Sequence, residues 1–460
     1  MIDRAGADDV LQLAVDRGRV PMAIGALLVL DPGGRPSGDA VRATLVERAG
    51  RVPRLGQRLV RTPPGAGRPI WVAGPSAPAD LVDEVTTDAD AGPAALLAAT
   101  ATLVTTRLGR ERPLWRARLL LDAQGRVAGI ALVAHHVLAD GMGGLAVLGA
   151  LADDDVNDGR GRDRAPGALP PAPPPLPSPP PWTVLARDAW SSRLYGLRGV
   201  GGHRGTRGSG RLGRGARELG LQRPRLADRC SLLGATGPHR DLAVATADLD
   251  VVRAVARAHG ASVNDVVVTA VTGALVELLA RRGESIGELV VSVPVSRRAQ
   301  GEAGSLGNST GIVPVRVPAV PDAATRLAAL VAERDRVRGT GRGGSAALLT
   351  PVFRGLAAVG AFQAFVDHQR LVHTFVTNVR GPAARMGVAG AEVVAILPVA
   401  VNPGNVAVSF DVLSYAGTLA VTLVCDPGLV PESAWLAGRV TAGLTASGGP
   451  GDVAGVSRAG

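Results

Sequence analysis

A proline-rich stretch followed by an arginine- and glycine-rich stretch divides this chain of 460 residues into two blocks. Ten of the sixteen residues from Pro166 to Pro181 are proline, which favours an extended polyproline conformation over packed secondary structure. The stretch from Arg193 to Arg229 contains the run GVGGHRGTRGSGRLGRG, whose few apolar side chains cannot bury enough surface to order it. We therefore predict a disordered or weakly ordered linker over residues 153–229, with a folded subdomain on each side.

The two flanking blocks show the mixed helix and strand patterns of α/β folds. Residues 1–152 contain an apolar run at Ala23–Leu30 that ends at the turn residues DPGG, and this run is predicted to be a strand. Residues 230–448 contain Ser262, which we expect to cap a long apolar helix. Residues 449–460 are predicted to form a flexible tail. Further strands are predicted at 115–121, 127–134, 242–249, 288–295, 311–317, 374–378, 393–397, 406–414 and 418–425.

The basic charge is concentrated in the predicted linker. The formal net charge is +10, every basic residue is arginine, and the stretch from Arg193 to Arg229 has ten arginines against two acidic residues. The two folded blocks are therefore close to neutral, and the linker lacks the interleaved aromatic residues on which nucleic-acid bases stack. We expect no nucleic-acid partner, and instead a tether or an arm that touches anionic lipid headgroups.

The two cysteines and the amino terminus favour a reducing compartment. Cys230 and Cys425 form neither a disulfide framework nor a metal-binding spacing. The first ten residues, MIDRAGADDV, carry acids where a signal peptide has a basic and then an apolar region. No segment is predicted to supply the ~20 apolar residues of a membrane-spanning helix. We expect a cytoplasmic protein.

The motif HHVLADG, from His135 to Gly141, is the most specific chemical signal in the chain. It lies where a predicted strand meets a helix predicted from Gly141 to Leu151. An imidazole there can take a proton from an alcohol or amine and return it in a later step, which makes His136 a candidate general base. Asp140 can fix the geometry of the turn, and Gly141 permits a backbone conformation that a Cβ atom would obstruct.

Each of these residues also has a purely structural interpretation. Asp140 stands where it can cap the following helix, and that role alone explains its identity. Packing or positioning explains His135 more readily than catalysis does, and a histidine such as His136 can also be satisfied within a core. We predict no metal site, because adjacent histidines cannot easily chelate one ion and no HExxH or paired cysteines accompany them.

An ordered series of further motifs accompanies HHVLADG. They are RPLW (112–115), SLLGATGPHR (231–240), VND (263–265), PVSRR (294–298), GN (307–308), TNVRGP (377–382) and SYAG (414–417). In this order the motifs resemble those of the bacterial wax ester synthase/diacylglycerol acyltransferase family of HHxxxDG acyl-CoA-dependent acyltransferases. The resemblance covers nearly the whole chain except the linker.

The resemblance implies a fold and a reaction. The fold would be two chloramphenicol-acetyltransferase-like α/β subdomains in a V, with a tunnel between them. His136 would deprotonate a lipid hydroxyl, which attacks acyl-CoA directly, and would then protonate the departing CoA thiolate. Acyl-CoA would be the co-substrate, diacylglycerol or a long-chain alcohol the acceptor, and no other cofactor is expected. Peripheral contact with the inner face of the plasma membrane or with lipid droplets would follow.

The resemblance also extends to residues outside the central motif. Asn264 and Asp265 match a pair that supports the site, although the first turn of a capped helix would explain them equally well. Pro113, Leu114 and Trp115 match a segment that borders the substrate tunnel, although a buried tryptophan often has only a core role.

Two segments depart from the family pattern. Gly56 stands where the family usually has an arginine. If that arginine normally pairs with the motif aspartate, Asp140 needs another partner, and Arg58 or Arg298 would supply it. Residues 79–85 lack the phenylalanine and histidine that the family tends to show there. Two alternatives therefore stay open: an acyltransferase for a complex lipid or polyketide alcohol, and a non-catalytic lipid-binding relative.

Overall fold

A computed structural model describes residues 2–75, 77–88, 92–138, 141–153, 176–202, 226–296, 310–339, 353, 355–357, 359–401 and 404–446. Its strands are β1 Ala23–Leu30, β2 Gln57–Val60, β3 Ile70–Ala73, β4 Val82–Thr86, β5 Trp115–Leu121, β6 Val127–His135, β7 Asp241–Asp248, β8 Glu288–Ser296, β9 Thr310–Pro318, β10 Thr374–Arg380, β11 Met386–Val388, β12 Ala391–Ala400, β13 Val408–Tyr415 and β14 Thr418–Cys425. Its helices are α1 Ala7–Val15, α2 Gly38–Gly50, α3 Pro93–Val104, α4 Gly141–Leu151, α5 Trp182–Gly202, α6 Leu249–Ala258, α7 Val263–Arg281, α8 Ala323–Gly339, α9 Phe362–Asp367 and α10 Ser433–Thr445. The predicted α/β class is confirmed.

The first half is built on a six-stranded sheet with the order β11-β12-β1-β6-β5-β4. The strand β1 is antiparallel to both of its neighbours, whereas β4 and β5 are parallel to each other. Helix α2 buries Val41 and Leu45 in the core of this half. Because β6 ends at His135 and α4 begins at Gly141, the HHVLADG motif lies at the predicted strand-to-helix junction.

The second half is built on another six-stranded sheet, with the order β7-β14-β13-β10-β8-β9. Helix α7 passes through the core of this half, and Ser262 caps it as predicted, since the Ser262 hydroxyl accepts a hydrogen bond from the Asp265 amide at 3.2 Å. Contrary to the prediction from the sequence, α7 has the length and apolar composition of a membrane-spanning helix. Most of it, however, is buried inside the core.

Strands β11 and β12 join the first sheet although they lie within residues 230–448, so the predicted subdomain boundary is wrong for this segment. β12 pairs with β1 along most of its length. The hydroxyl of Tyr415 accepts from the Met386 amide at 2.6 Å and donates to the Val393 carbonyl at 2.8 Å, which ties the crossing strands to the second sheet. The physical reason for the crossing is that β1 would otherwise present unpaired backbone groups at an open edge.

Helix α5 lies within residues 153–229, so the linker prediction is wrong for this segment. Leu185 on α5 is buried against Ile70 on β3. The Arg4 guanidinium donates to the Asp188 carboxylate at 2.8 Å and to the Leu185 carbonyl at 2.9 Å, which pins the helix to the first half. Apolar residues at helical spacing therefore order this segment despite its proline-rich and glycine-rich flanks. Residues 154–175, 203–225 and 449–460 lie outside the described residues, so for them the linker and tail predictions stay predictions.

The two halves meet at an apolar cluster to which the crossing strand contributes. Leu397 and Val399 of β12 pack with Leu97 of α3 and with Ala420 and Val424 of β14. The crossing strand thus belongs to one sheet and packs against the other. The prediction of two sheet-containing halves is confirmed, whereas the tunnel between them stays a prediction.

Candidate active site

His136 directly follows β6, beside the strand β1. Its amide donates to the Met22 carbonyl at 2.9 Å, and the Leu138 amide donates to the His135 carbonyl at 2.8 Å. The backbone that carries His136 is therefore fixed on both sides, while the residue itself is only partly buried. Asp140 lies outside the described residues, so its capping and orienting roles stay predictions.

His135 is buried and supports the geometry of the turn. Its Nδ1 accepts a hydrogen bond from the Val137 amide at 3.0 Å, which places the proton of the neutral ring on Nε2. This Nε2 lies 3.4 Å from the Asp16 carboxylate. These contacts agree with the positioning role of His135 rather than with a direct part in catalysis.

Asp16 is a buried carboxylate among positively charged groups. Arg107 and Arg110 each donate to it at 2.8 Å, and the Met22 amide donates at 3.1 Å. Burial alone would raise the pKa of Asp16, but the adjacent His135 ring and the hydrogen bonds from Arg110 and the Met22 amide lower it well below its usual range. Asp16 therefore stays ionised near neutral pH and holds His135 in place.

The RPLW segment lies against the same end of β6. The His135 amide donates to the Leu114 carbonyl at 2.9 Å, and Pro113 and Leu114 are both buried. The indole Nε1 of Trp115 donates to the Leu55 carbonyl at 2.7 Å within the core of the first half. The segment therefore adjoins the motif. Trp115 packs in the core, as the structural interpretation of this residue predicts. Its border with a substrate tunnel stays a prediction.

The chain near Gly56 has room for the side chain that it lacks. The Gly56 carbonyl accepts from the Gly74 amide at 2.7 Å, yet a Cβ atom at Gly56 would meet no other atom within 4 Å. The buried Nε of Arg58 has no hydrogen-bond partner among the described residues. Arg298 and Asp140 lie outside those residues, so a pairing of Asp140 with Arg58 or Arg298 stays a prediction.

Asn264 and Asp265 have different partners. The Asp265 carboxylate accepts from the Ser262 amide at 2.8 Å, which completes a capping box, and from the Arg334 guanidinium. These contacts match the structural interpretation of Asp265. Asn264 is only partly buried, and its Oδ1 accepts from the Asn378 amide group at 3.3 Å. The structure therefore brings the VND and TNVRGP motifs together through Asn264.

Gly381, in TNVRGP, lies where the chain leaves the second sheet to cross to the first. Its amide donates to the Ser414 carbonyl at 3.0 Å, and a Cβ atom at Gly381 would lie 2.4 Å from that same oxygen. Only glycine permits this close approach. The TNVRGP and SYAG motifs therefore adjoin at the crossing point.

Sequence reasoning did not identify two buried carboxylates, Asp16 and Asp411. Asp411 on β13 accepts from the Thr377 hydroxyl at 2.9 Å and from the Ala400 amide at 2.6 Å. A signal for Asp411 was present, because it is the one charged residue within the apolar strand VSFDVLSY. Asp16 had no such signal, because it lies in the polar stretch VDRGR and its arginine partners are distant in sequence.

Two family models match most of the chain. The model for the wax ester synthase/diacylglycerol acyltransferase catalytic domain matches residues 6–267, and the model for the C-terminal domain of the same family matches residues 306–446. The first match spans more than half of the chain and includes both HHVLADG and VND.

Curated relatives and solved structures match this chain over nearly its whole length. A Mycobacterium tuberculosis protein named as a probable diacylglycerol O-acyltransferase is 27% identical over 443 residues, which cover 92% of this chain and 90% of that protein. The wax ester synthase/diacylglycerol acyltransferase from Marinobacter aquaeolei VT8 has a TM-score of 0.65 at 20% identity, covering 96% of this chain and 98% of that one. A starter condensation domain of rhizomide synthetase, solved with C8-CoA and Leu-SNAC, has a TM-score of 0.59 at 14% identity, covering 96% and 93%. At these identities the two solved structures establish the shared fold.

Proposed function

The chain belongs to the wax ester synthase/diacylglycerol acyltransferase family, and on that premise we propose that it transfers a fatty acyl group from acyl-CoA to a lipid hydroxyl, with His136 as the general base. The observation that carries the proposal is the placement of HHVLADG. The hydrogen bonds at the end of β6 fix the backbone of His136, and His136 itself is only partly buried. A general base needs this combination of fixed position and access to its substrate.

The proposed reaction moves one proton to His136 and back. The neutral imidazole takes the proton of the acceptor hydroxyl while the hydroxyl oxygen attacks the thioester carbonyl carbon. The C–S bond then breaks, the ester is formed, and the imidazolium returns the proton to the CoA thiolate. No acyl-enzyme forms, and the histidine ends the cycle in its starting state. An imidazole suits both steps because its ordinary pKa lies near neutral pH.

The groups around His136 supply rigidity in this proposal. His135 is held between the Val137 amide and Asp16, and its ring is buried, so we assign it as a positioning residue. Asn264 and Asn378 form the polar contact on the second half that we assign to the support of the site. Asp265 acts through the cap of α7 rather than on substrate.

Acyl-CoA is the proposed acyl donor, and diacylglycerol or a long-chain alcohol is the proposed acceptor. Support for the acceptor comes from the names of the mycobacterial relative and of the Marinobacter enzyme. Support for the donor comes from the rhizomide synthetase condensation domain, which shares the fold and was solved with C8-CoA.

An acceptor screen tests the proposal. Purified protein is given palmitoyl-CoA with diacylglycerol or hexadecanol, and both thiol release and the ester product are measured. We expect His136→Ala to lower kcat by about 10²- to 10⁴-fold, because a general base contributes on this order. His259→Ala, which removes an exposed histidine at the end of α6, is the matched control and should leave the rate unchanged.

Two results would contradict the proposal. Thiol release that persists in His136→Ala at the wild-type rate would remove the assigned role of His136. Tight binding of palmitoyl-CoA without turnover on any alcohol would instead favour the non-catalytic, lipid-binding alternative.

We also propose that the protein acts in the cytoplasm, in peripheral contact with membranes or lipid droplets. Support comes from the arginine-rich residues 193–229 and from Trp182 and Trp190 on α5, which are 53% and 56% exposed. A variant with the seven arginines of 203–225 replaced by glutamine should co-sediment less than wild type with phosphatidylglycerol vesicles. Phosphatidylcholine vesicles are the control, and equal sedimentation of both proteins with the anionic vesicles would refute the contact.

A further inference from the structure

Asp411 is a buried carboxyl group on the face of the second sheet that turns towards the first half. Its neighbours along β13, Phe410 and Val412, point into the core of the second half, so Asp411 between them points the other way. It is 1% exposed. The residues paired with it on the adjacent strands, Thr377 on β10 and Thr422 on β14, are both neutral. A carboxylate here is therefore costly to bury and needs a specific reason.

The Asp411 carboxylate accepts from a backbone amide that pairs with no strand among the described residues. The Val401 amide donates to the Ala23 carbonyl on β1 at 2.9 Å, so the preceding Ala400 amide points away from β1. On that side the partner strand β11 pairs with β12 only as far as Val393. Asp411 Oδ2 takes the place of the missing strand by accepting from the Ala400 amide at 2.6 Å.

The other carboxylate oxygen binds the strand that carries the second half of the candidate site. Asp411 Oδ1 accepts from the Thr377 hydroxyl at 2.9 Å. Thr377 directly precedes Asn378, whose side chain donates to Asn264. The carboxylate therefore holds β10 at the residue before the Asn378–Asn264 contact.

The Ala400 contact connects Asp411 to the strand that precedes His136. In the first sheet Ile24 on β1 lies between Ala400 on β12 and Ala134 on β6. Ala134 is two residues before His136. Because neighbouring strands lie about 4.8 Å apart, the end of β12 is two strand spacings from the end of β6. Asp411 thus contacts the sheet of His136 through one oxygen and the strand of Asn378 through the other.

We propose that Asp411 is a positioning residue that clamps the end of β12, and with it the strands that carry His136, to Thr377 and the Asn378–Asn264 contact. The inference rests on the proposed function, in which His136 is the general base. Misplacement of a reacting group by about 1 Å can cost a rate factor of about 10². A clamp between the two sheets therefore acts on kcat without touching substrate.

Three substitutions separate clamping from other roles. Asp411→Leu introduces an apolar side chain of similar size and removes both acceptors. We expect kcat to fall about tenfold or more, with the KM for palmitoyl-CoA within about threefold of wild type. Asp411→Asn keeps one oxygen for the Ala400 amide and an amide group for the Thr377 oxygen, and should retain about a third or more of kcat. Thr377→Val removes one contact from a residue of the same shape and should lower kcat by about threefold.

Thr422→Val is the matched control. Thr422 is fully buried beside Asp411, and its hydroxyl has no hydrogen-bond partner among the described residues. The kcat of Thr422→Val should stay within about twofold of wild type, because the substitution removes neither contact of Asp411. Wild-type kcat in a folded Asp411→Leu would overturn the proposal. Should Asp411→Leu fail to fold, wild-type kcat in Thr377→Val would do so. An Asp411→Asn as slow as Asp411→Leu would also overturn it, because the negative charge rather than the clamp would then matter.

Hydrogen exchange tests the clamp without relying on the proposed reaction. Peptides that cover 395–401 and 374–380 should exchange faster in Asp411→Leu than in wild type, and at the wild-type rate in Asp411→Asn. Unchanged exchange of both peptides in a folded Asp411→Leu would overturn the clamp. If wild type proved inactive on every alcohol, the proposed function would fail while this measurement still decided the clamp.

Discussion

The two halves of the molecule each contain a buried aspartate next to the candidate site, and the two have opposite surroundings. Asp16 accepts hydrogen bonds from Arg107 and Arg110, whereas among the described residues the donors to Asp411 are the Thr377 hydroxyl and a backbone amide. Burial would raise the pKa of both. The positive groups around Asp16 reverse that effect and lower its pKa, whereas burial raises the pKa of Asp411 to about 7 despite its two hydrogen bonds. Neutral donors therefore do not replace cations in keeping a buried carboxyl group ionised.

Asp16→Asn should have the largest effect on stability, because it leaves Arg107 and Arg110 without their carboxylate. We expect the free energy of unfolding at pH 7 to fall by about 3 kcal/mol. A group whose pKa is lowered by folding stabilises above its unfolded pKa, so the difference from wild type should shrink as the pH falls below about 4. Urea unfolding at pH 7, 5 and 3 measures this. Asp250→Asn, at an exposed aspartate on α6, is the control. If Asp16→Asn loses no more free energy of unfolding than this control, the arginine partners do not stabilise Asp16 as proposed.

Asp411→Asn should raise the free energy of unfolding at high pH, whereas Asp16→Asn lowers it. Folding raises the pKa of Asp411, so its contribution is fully present below the unfolded pKa and is lost as the pH rises through about 7. Asparagine does not ionise, so the variant does not lose this stability at high pH. We expect it to be more stable than wild type at pH 8 by roughly 1 to 3 kcal/mol, and equal to wild type near pH 4. Urea unfolding at these two pH values measures the difference, and a variant less stable than wild type at pH 8 would show that Asp411 has a compensating charge.

Asp265 is a third buried carboxylate, and its partners are one cation, Arg334, and one backbone amide, that of Ser262. The variant Asp265→Ala therefore tests a case between Asp16 and Asp411. Loss of the cap and of the Arg334 contact should lower the free energy of unfolding by about 1 to 2 kcal/mol. Because these contacts are structural, kcat should change little. Asn264→Ala is the matched variant and should show the reverse pattern, a lower kcat with little loss of stability. A large fall of kcat in a stable Asp265→Ala would instead place Asp265 in the site.

Much of the local structure could be predicted because its causes are local. The strand at Ala23–Leu30 and the helices that begin at Gly141 and Val263 have the bounds that apolar patterning and turn residues predict. The capping of α7 by Ser262 follows from the same short-range chemistry. The position of His136 at a strand-to-helix junction was predictable for this reason too.

The partners of the buried carboxylates could not be predicted, because they are distant in sequence. Arg107 and Arg110 lie 91 and 94 positions from Asp16. Asp411 meets Thr377, which is 34 positions away, only because β10 and β13 are neighbours in the sheet. Helix α5 was missed for a related reason, since its burial depends on Arg4 and on β3.

By itself the sequence determined many of the helices and strands, the motif that carries His136, and the family to which the chain belongs. Periodicity, capping and turn chemistry act over a few residues, so they can be deduced from a single chain. The tertiary structure decided that β12 crosses to the first sheet and that the pKa values of Asp16 and Asp411 shift in opposite directions. Strand pairing and desolvation depend on groups that only the folded chain brings together, so no local pattern contains them.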